Sequence, residues 1–493
     1  MIVLPAPRMR PDPVNRPVAR GCVVLLLSVV AGCGAQTYRA RPLTPAASAQ
    51  AFADRSLADE RLRTYAGVQG VATDPWPLPR WGLAQLIVAA MFFHPDIELA
   101  RARARVSTAE TQTSRTRPPV TINVRPEYNT KVGAGASPWG LGMVVGLPID
   151  LGGKRAARTA QLERLEAATT TDVGVAAWRV RSRLRRHFVD LYAVRQLGRA
   201  LDAEQQQRRI LLALLEKREQ AGYAAASEAW AQRLRLAETE VAIRRAAIRR
   251  DQSLAGVAEA VGIPLAALDG IELDVDSLAA MPPPPTTDGI RRAALHNRID
   301  LHRKLDDYAA AEAAVRLEIA RRYPDLILGP GYFWDADHSV WSIAFLALGV
   351  GAARTDALVR EAEARREVEE KAFLALQANV IAEAAGAVAR YQRAREAEAA
   401  VHAQIEQLRA RTRQVERQFD RGHADRVELV QARADALVAE RTALPVMLEA
   451  QQALSALEDA VQRPLDDPEF AASTPTAAAP TDRTLNPALL DND

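Results

Sequence analysis

Cysteine is almost missing from this chain of 493 residues: Cys22 and Cys33 are the two it has. Cys22 sits in an N-terminal apolar run, so removal of that run leaves Cys33 alone and no internal disulfide can form. Stability has to come from packing. Aromatic residues make up 5% of the chain, and 64 Lys and Arg are nearly matched by 61 Asp and Glu, interleaved along its length. This balance lacks the basic footprint of a nucleic-acid partner. Catalytic motifs are missing as well. "GGKR" at Gly152 lacks the hydroxyl residue and the spaced first glycine of a phosphate loop, and neither His-Glu-x-x-His nor a nucleophile elbow occurs. The seven histidines are scattered rather than set at ligand spacing. These absences predict a protein that is not an enzyme and that uses no cofactor and no metal site.

What is present begins with an export leader. Arg8, Arg10, Arg16 and Arg20 precede an apolar core, Cys22 to Val30, about half the length of a membrane-spanning helix. The stretch Val30-Ala31-Gly32-Cys33 resembles the bacterial lipobox, which implies that residues 1–32 are a signal peptide and that Cys33 takes up lipid as the first mature residue. Gly34 and Ala35, rather than an aspartate, follow it and favour the outer membrane. Residues 33–79, rich in Pro and Ala, are expected to run extended from that anchor.

The rest of the chain repeats itself. "LAGVAEAVGIPL" at 254–265 and "LSALEDAVQRPL" at 454–465 match at Leu, Ala-Val and Pro-Leu, and the same shift of 200 maps Gly222 onto Gly422 and Glu228 onto Glu428. "HPDIEL" from His94 and "HNRIDL" from His296 echo each other at almost the same offset. Two repeats result, 80–270 and 291–465, joined at 271–290 by a linker containing "MPPPPTTD" and followed by a polar tail, 466–493, that is expected to be disordered.

Each repeat reads as a short helix, two strands and two long helices. Lys154–Arg218 and Asp356–Arg421 contain no proline and are rich in helix formers, which predicts helices of about 100 Å. Leu184, Phe188 and Leu191, and Val430, Ala434, Leu437, Leu444 and Leu448, mark a coiled-coil-like seam, although a solvated rod would carry the same stripe. "RVRSRLRRHF" from Arg179 is expected to pack Val180, Leu184 and Phe188 and to leave its arginines in solvent. Four segments alternate at period two. Leu141, Met143, Val145 and Leu147 share one face of "GLGMVVGL", and Trp341, Ile343, Phe345 and Ala347 share one face of "SVWSIAFLAL"; "TINVRPEY" and "DLILGPGYFW" supply the other two strands. Such a face suits lipid, but four strands cannot close a barrel, so several chains would have to contribute. A soluble sheet packed on a helix is the other reading of these strands. "DADH" from Asp335 falls where a polar hairpin turn is expected.

In this order, these pieces resemble the TolC family of outer-membrane efflux proteins. "LPIDLGGKRAARTAQLE" from Leu147 and "LGPGYFWDADHSVWSIAFLAL" from Leu328 are similar to the strand–helix junction and second hairpin of its CzcC-like heavy-metal-resistance branch, and "FDRGHADRVELVQARADALVAE" from Phe419 to its periplasmic tip. "LALGVGAARTD" from Leu346 departs from the family by lacking its prolines. The resemblance implies a mainly helical chain with two tandem repeats of coiled-coil helices and β-hairpins. Three copies would form an α-barrel tunnel topped by a shared 12-strand transmembrane barrel. It further implies an outer-membrane exit duct of a tripartite efflux pump, a homotrimer in outer-membrane lipid, partnered by a periplasmic adaptor and a proton-driven inner-membrane transporter, with heavy-metal cations or drugs as cargo. Leu141, Met143, Val145, Trp341, Ile343 and Phe345 would face lipid. Glu228 and Glu428 would ring a constriction, with Arg426 and Arg421 as nearby partners and Phe419 sealing the gap, and the Gly222 and Gly422 tips would meet the adaptor. A periplasmic coiled-coil lipoprotein without a channel is the competing reading.

Overall fold

Pro45 fixes a helical φ at a first-turn position, and the alanines behind it favour helix, so the segment expected to be extended contains a helix instead. The computed structural model describes residues 38–465, apart from 132, 134, 136, 336, 337 and 349–351; the leader, Cys33 and the tail 466–493 lie outside the described residues. The chain divides into two units at Asp54. The first contains helix α1 (Pro45–Ala53).

The second unit opens with α2 (Glu60–Val68), whose N-terminus is capped by Asp59 accepting from the Arg61 N–H at 2.8 Å. Leu57, Leu62 and Ala66 are buried here, which corrects the expectation of an extended 33–79 a second time. The first repeat then runs β1 (Arg80–Trp81), α3 (Leu83–Phe93), α4 (Pro95–Arg115), β2 (Thr121–Tyr128), β3 (Trp139–Ile149), α5 (Lys154–Gln220) and α6 (Ala226–Val261). After β4 (Glu272–Leu273) the second repeat runs α7 (Thr287–Asn297), α8 (Ile299–Ala320), β5 (Asp325–Asp335), β6 (His338–Leu348), α9 (Ala352–Asp420) and α10 (Arg426–Val461). Apart from β1 the copies match element for element, with two short helices in each where one was expected.

The linker is packed rather than free. Glu272–Leu273 pairs parallel with Arg80–Trp81, Val275 and Leu278 are buried, and the Tyr391 hydroxyl donates to the Pro282 carbonyl. Each repeat builds its core where its short helices cross its long pair. Leu86, Leu184, Phe188 and Val257 are fully buried in the first, and Ala294, Val380, Tyr391 and Leu457 in the second. Burying each leucine or phenylalanine contributes about 1.5–3 kcal/mol. The seam residues Leu184, Phe188, Leu191, Val430 and Ala434 are buried, whereas Leu444 and Leu448 are half-buried beside a cleft. One helix, α9, also contains a stretch apolar enough by length and composition to cross a membrane, most of it not buried within the chain.

Candidate membrane face and channel tips

The four strands form one antiparallel sheet in the order β2-β3-β5-β6. Its register settles which side chains share a face. Val124 lies opposite Met143, Met143 opposite Tyr332, and Tyr332 opposite Trp341; Ile122 lies opposite Val145, and Leu328 opposite Phe345. Residues from all four strands therefore form one continuous apolar face. Trp341, Ile343 and Phe345 are 81%, 68% and 69% exposed, and Leu141 and Met143 are exposed as well, with Val145 half-buried. Tyr128 and Trp139 meet edge-on at 4.9 Å, and Tyr332 and Trp341 meet at a tilt at 5.0 Å, toward the hairpin ends, leaving aliphatic residues between them and the helices. The opposite face carries Thr121, Asn123, Arg125 and Glu127, with Arg125 and Glu127 paired at 2.7 Å, and small residues from β3 and β5. A Cβ on Gly142 would meet the Phe333 ring at 2.8 Å, so that glycine is what lets the ring lie flat on the strand. The outer sides of β2 and β6 are unpaired among the described residues.

Where the sheet meets the helices, Asp150 accepts from the Lys154 and Arg155 N–H groups at 3.0 and 3.1 Å and so caps α5, while the Lys154 ammonium pairs with Asp325 at 2.6 Å. Gly152 has φ +77°, and a side chain there would collide with Tyr323. At the second junction β6 ends at Leu348 and α9 begins at Ala352; residues 349–351, within the stretch that departs from the family pattern, lie outside the described residues.

At the far ends of the long helices both turns are built alike. Gly222 and Gly422 each have φ +76°; Tyr223 N–H bonds back to the Arg218 carbonyl at 2.8 Å and His423 N–H to the Gln418 carbonyl at 2.8 Å, closing a Schellman turn at each tip. Below them the hairpins carry equivalent ion pairs 200 residues apart: Arg233–Glu216 at 2.6 Å and Arg433–Glu416 at 2.7 Å, then Arg209–Glu240 at 3.3 Å and Arg409–Glu440 at 2.8 Å. Sequence reading missed these pairs, although the repeat offset contained them. Glu228 and Glu428 are exposed in the first turns of α6 and α10, as is Arg426, while Phe419 is exposed at the end of α9. The expected pairing of the two carboxylates with Arg426 or Arg421 is not formed among the described residues. Instead Arg218 reaches from the first tip to Asp425 of the second at 3.0 Å. Asp425 also caps α10, and the N–H of Glu428, helped by Arg218 and the Val427 N–H, holds its carboxyl below the usual carboxylate range.

The arginine run of α5 is the clearest correction. Arg181 and Arg185 are not in solvent: both are buried against Glu458 of α10, at 2.8 and 3.2 Å, and Arg181 lies over the Trp178 ring at 4.5 Å. Glu204, 1% exposed, is held the same way by Arg208 at 2.6 Å and by Arg441 of α10 at 2.9 Å. These carboxylates tie the first repeat to the second. Among the described residues, no three His, Cys, Asp or Glu side chains are placed to hold a metal ion.

No protein-family model matches the sequence, and no curated protein is similar enough in sequence to be matched. Solved structures are similar in fold. The outer membrane protein VceC from Vibrio cholerae superposes with a TM-score of 0.61 at 17% identity, covering 77% of this chain and 95% of that one. The outer-membrane channel OprN gives 0.61 at 18% identity, with 86% and 98% covered, and the Campylobacter jejuni CmeC outer membrane channel 0.62 at 13%, with 80% and 89% covered. The fold is thus shared along nearly the whole length of proteins solved as outer-membrane channels, and this chain has the TolC-type outer-membrane channel fold.

Proposed function

We propose that the chain is the outer-membrane exit duct of a tripartite efflux pump. The observation that carries this is the apolar face running across all four strands while both sheet edges stay unpaired among the described residues. An open edge is not tolerated in hydrocarbon, and it closes if three copies contribute four strands each to one barrel. At about 3.4 Å per residue and a tilt near 40°, the 11-residue strands reach roughly the 25 Å height of a lipid-facing band. Exposed apolar residues on α6, among them Trp230, Leu234, Val241 and Ile248, and on α9, Leu374 and Ile381, support a seam between copies; three of the α6 residues recur at heptad spacing. Glu228 and Glu428 then ring the tunnel's inner end, and the Arg218–Asp425 contact ties the tips of one copy. Energy comes from an inner-membrane transporter and alignment from a periplasmic adaptor seated on the Gly222 and Gly422 tips, while a lipid on Cys33 supplements the barrel as anchor. Likeness to the heavy-metal branch favours divalent cations as cargo.

Single-channel conductance of the purified protein in planar bilayers tests this. Wild type should give discrete openings, and Glu228→Ala/Glu428→Ala should enlarge them or reduce their cation preference. A folded oligomer that never conducts refutes the duct and leaves a structural periplasmic lipoprotein.

A further inference from the structure

Between α5, α6 and α10 lies an open cavity of about 810 Å³, within the size range of small-molecule sites. Its floor is apolar: Leu197 and Leu201 come from α5, Ala246 from α6, and Leu444 and Leu448 from α10. Its rim is basic. Arg245 and Arg249 stand one turn apart on α6 with no ion pair or side-chain hydrogen bond among the described residues. Arg441, the third arginine on the wall, is already paired with Glu204 at 2.9 Å, a carboxylate it shares with Arg208. Asp190 is the one carboxylate there, and burial pushes its carboxyl above the usual range against the opposing pull of His187 and Arg186. Two free guanidinium groups against one carboxylate leave the cavity mouth positive above a leucine floor.

Pro445 stands at the same place, inside α10. Lacking an N–H, it leaves the Arg441 carbonyl without its helical donor at the cavity wall.

We propose that this cavity binds a single-chain amphiphile with an anionic head group, its chain on the leucine floor and its head against Arg245 and Arg249. Carboxylate and phosphate heads offer the two guanidinium groups the same bidentate chemistry. The site is a property of the chain wall and does not depend on conduction.

The test uses the full chain in lipid nanodiscs, with a photoreactive diazirine dodecanoate and peptide mapping by mass spectrometry. Labels should fall within 187–201, 242–253 and 441–448. Unlabelled dodecanoate should suppress them and dodecyltrimethylammonium should not. Arg245→Gln/Arg249→Gln should lower labelling about tenfold or more, the loss expected for charge-assisted hydrogen bonds, with helical content unchanged. Leu197→Trp, which fills the floor and alters no charge, should abolish it. Stronger competition by dodecyl phosphate than by dodecanoate would make the head group a phosphate, and the reverse a carboxylate; both agree with the proposal. Equal displacement by the cationic amphiphile, or labelling indifferent to the double substitution in a folded protein, overturns it. Labelling that appears only after deletion of 466–493 overturns it too, and assigns the cavity to the chain's own acidic tail.

Discussion

Met143 is the residue on which the lipid-facing sheet is most directly tested. It is fifth of the 11 residues of β3, near the middle of the strand, flanked on the same face by Val124 of β2 and Tyr332 of β5, and 44% exposed. Replacing it by arginine in a bilayer puts a guanidinium near the hydrocarbon midplane, at about 2–4 kcal/mol per copy. That is roughly a 30- to 900-fold shift in the folding equilibrium for each chain. On a wet sheet the same change would stay within about 0.5 kcal/mol. Asn123→Arg is the matched control, because Asn123 pairs with Val144 on the opposite face of the same sheet. Both variants would be folded into lipid vesicles and titrated with urea, the folded fraction being read from gel migration with and without heating. Met143→Arg should lose several-fold more stability than Asn123→Arg. Equal losses would refute the argument, since they would mean that neither face meets lipid.

Removing the Glu458 carboxylate by Glu458→Ala takes the shared carboxylate away from the buried Arg181 and Arg185, Arg185 keeping its bond to the Ser455 hydroxyl, and should cost about 3–5 kcal/mol in chemical denaturation, whereas loss of the exposed Arg233–Glu216 pair through Arg233→Ala should cost under about 1. Ala225 occupies the N-cap of α6 that Asp425 occupies on α10, so Ala225→Asp should add about 1 kcal/mol and slow amide exchange in the first turn of α6. His94 caps α4 by accepting the Asp96 N–H at 3.2 Å, and burial lowers its pKa, so the unfolded chain binds the proton more readily. Stability should be complete above the unfolded value near 6.5 and fall as pH drops from there toward the lowered folded value; urea midpoints at pH 7 and pH 5 should differ in wild type and less in His94→Asn.

Much of this architecture was legible because its signals are periodic. A proline-free stretch of alanine, leucine, glutamate and arginine has few alternatives to helix, and α5 and α9 fall within a few residues of the expected bounds. Alternation at period two specified the outward face of β3 and β6, because a slip of one residue would invert every side chain. The failures were of another kind. Nothing in "RVRSRLRRHF" says that Arg181 and Arg185 meet Glu458, 277 and 273 residues later; that contact exists only once the second repeat packs on the first. Composition also misled at 33–79, where a proline that starts α1 and the Asp59 cap of α2 read as irregular chain. Both tips were legible through Gly222 and Gly422. The partner of Asp425 was not, because Arg218 belongs to the other hairpin.

The cross-repeat contacts grade the stiffness of the helical body. Toward the sheet, Glu458 binds two arginines in the interior, and farther along α5 Glu204 binds two more; breaking such contacts leaves a buried charge and is costly. At the turns themselves the hairpins are joined by the Arg218–Asp425 ion pair, with both side chains about half exposed, an arrangement that contributes at most about 1 kcal/mol and weakens with salt. The turns themselves do not share that softness, because each Schellman glycine and the hairpin ion pairs beneath it hold α5 to α6 and α9 to α10 whether or not the tips touch. Just below the tips Val430 of α10 is buried with Leu211, Leu215 and Ala229 of the first hairpin, so the hairpins part most cheaply over the last turns above that apolar cluster. The Asp425 carboxylate can release Arg218 and still cap α10 through the Val427 and Glu428 N–H groups, so opening costs the pair without costing the helix.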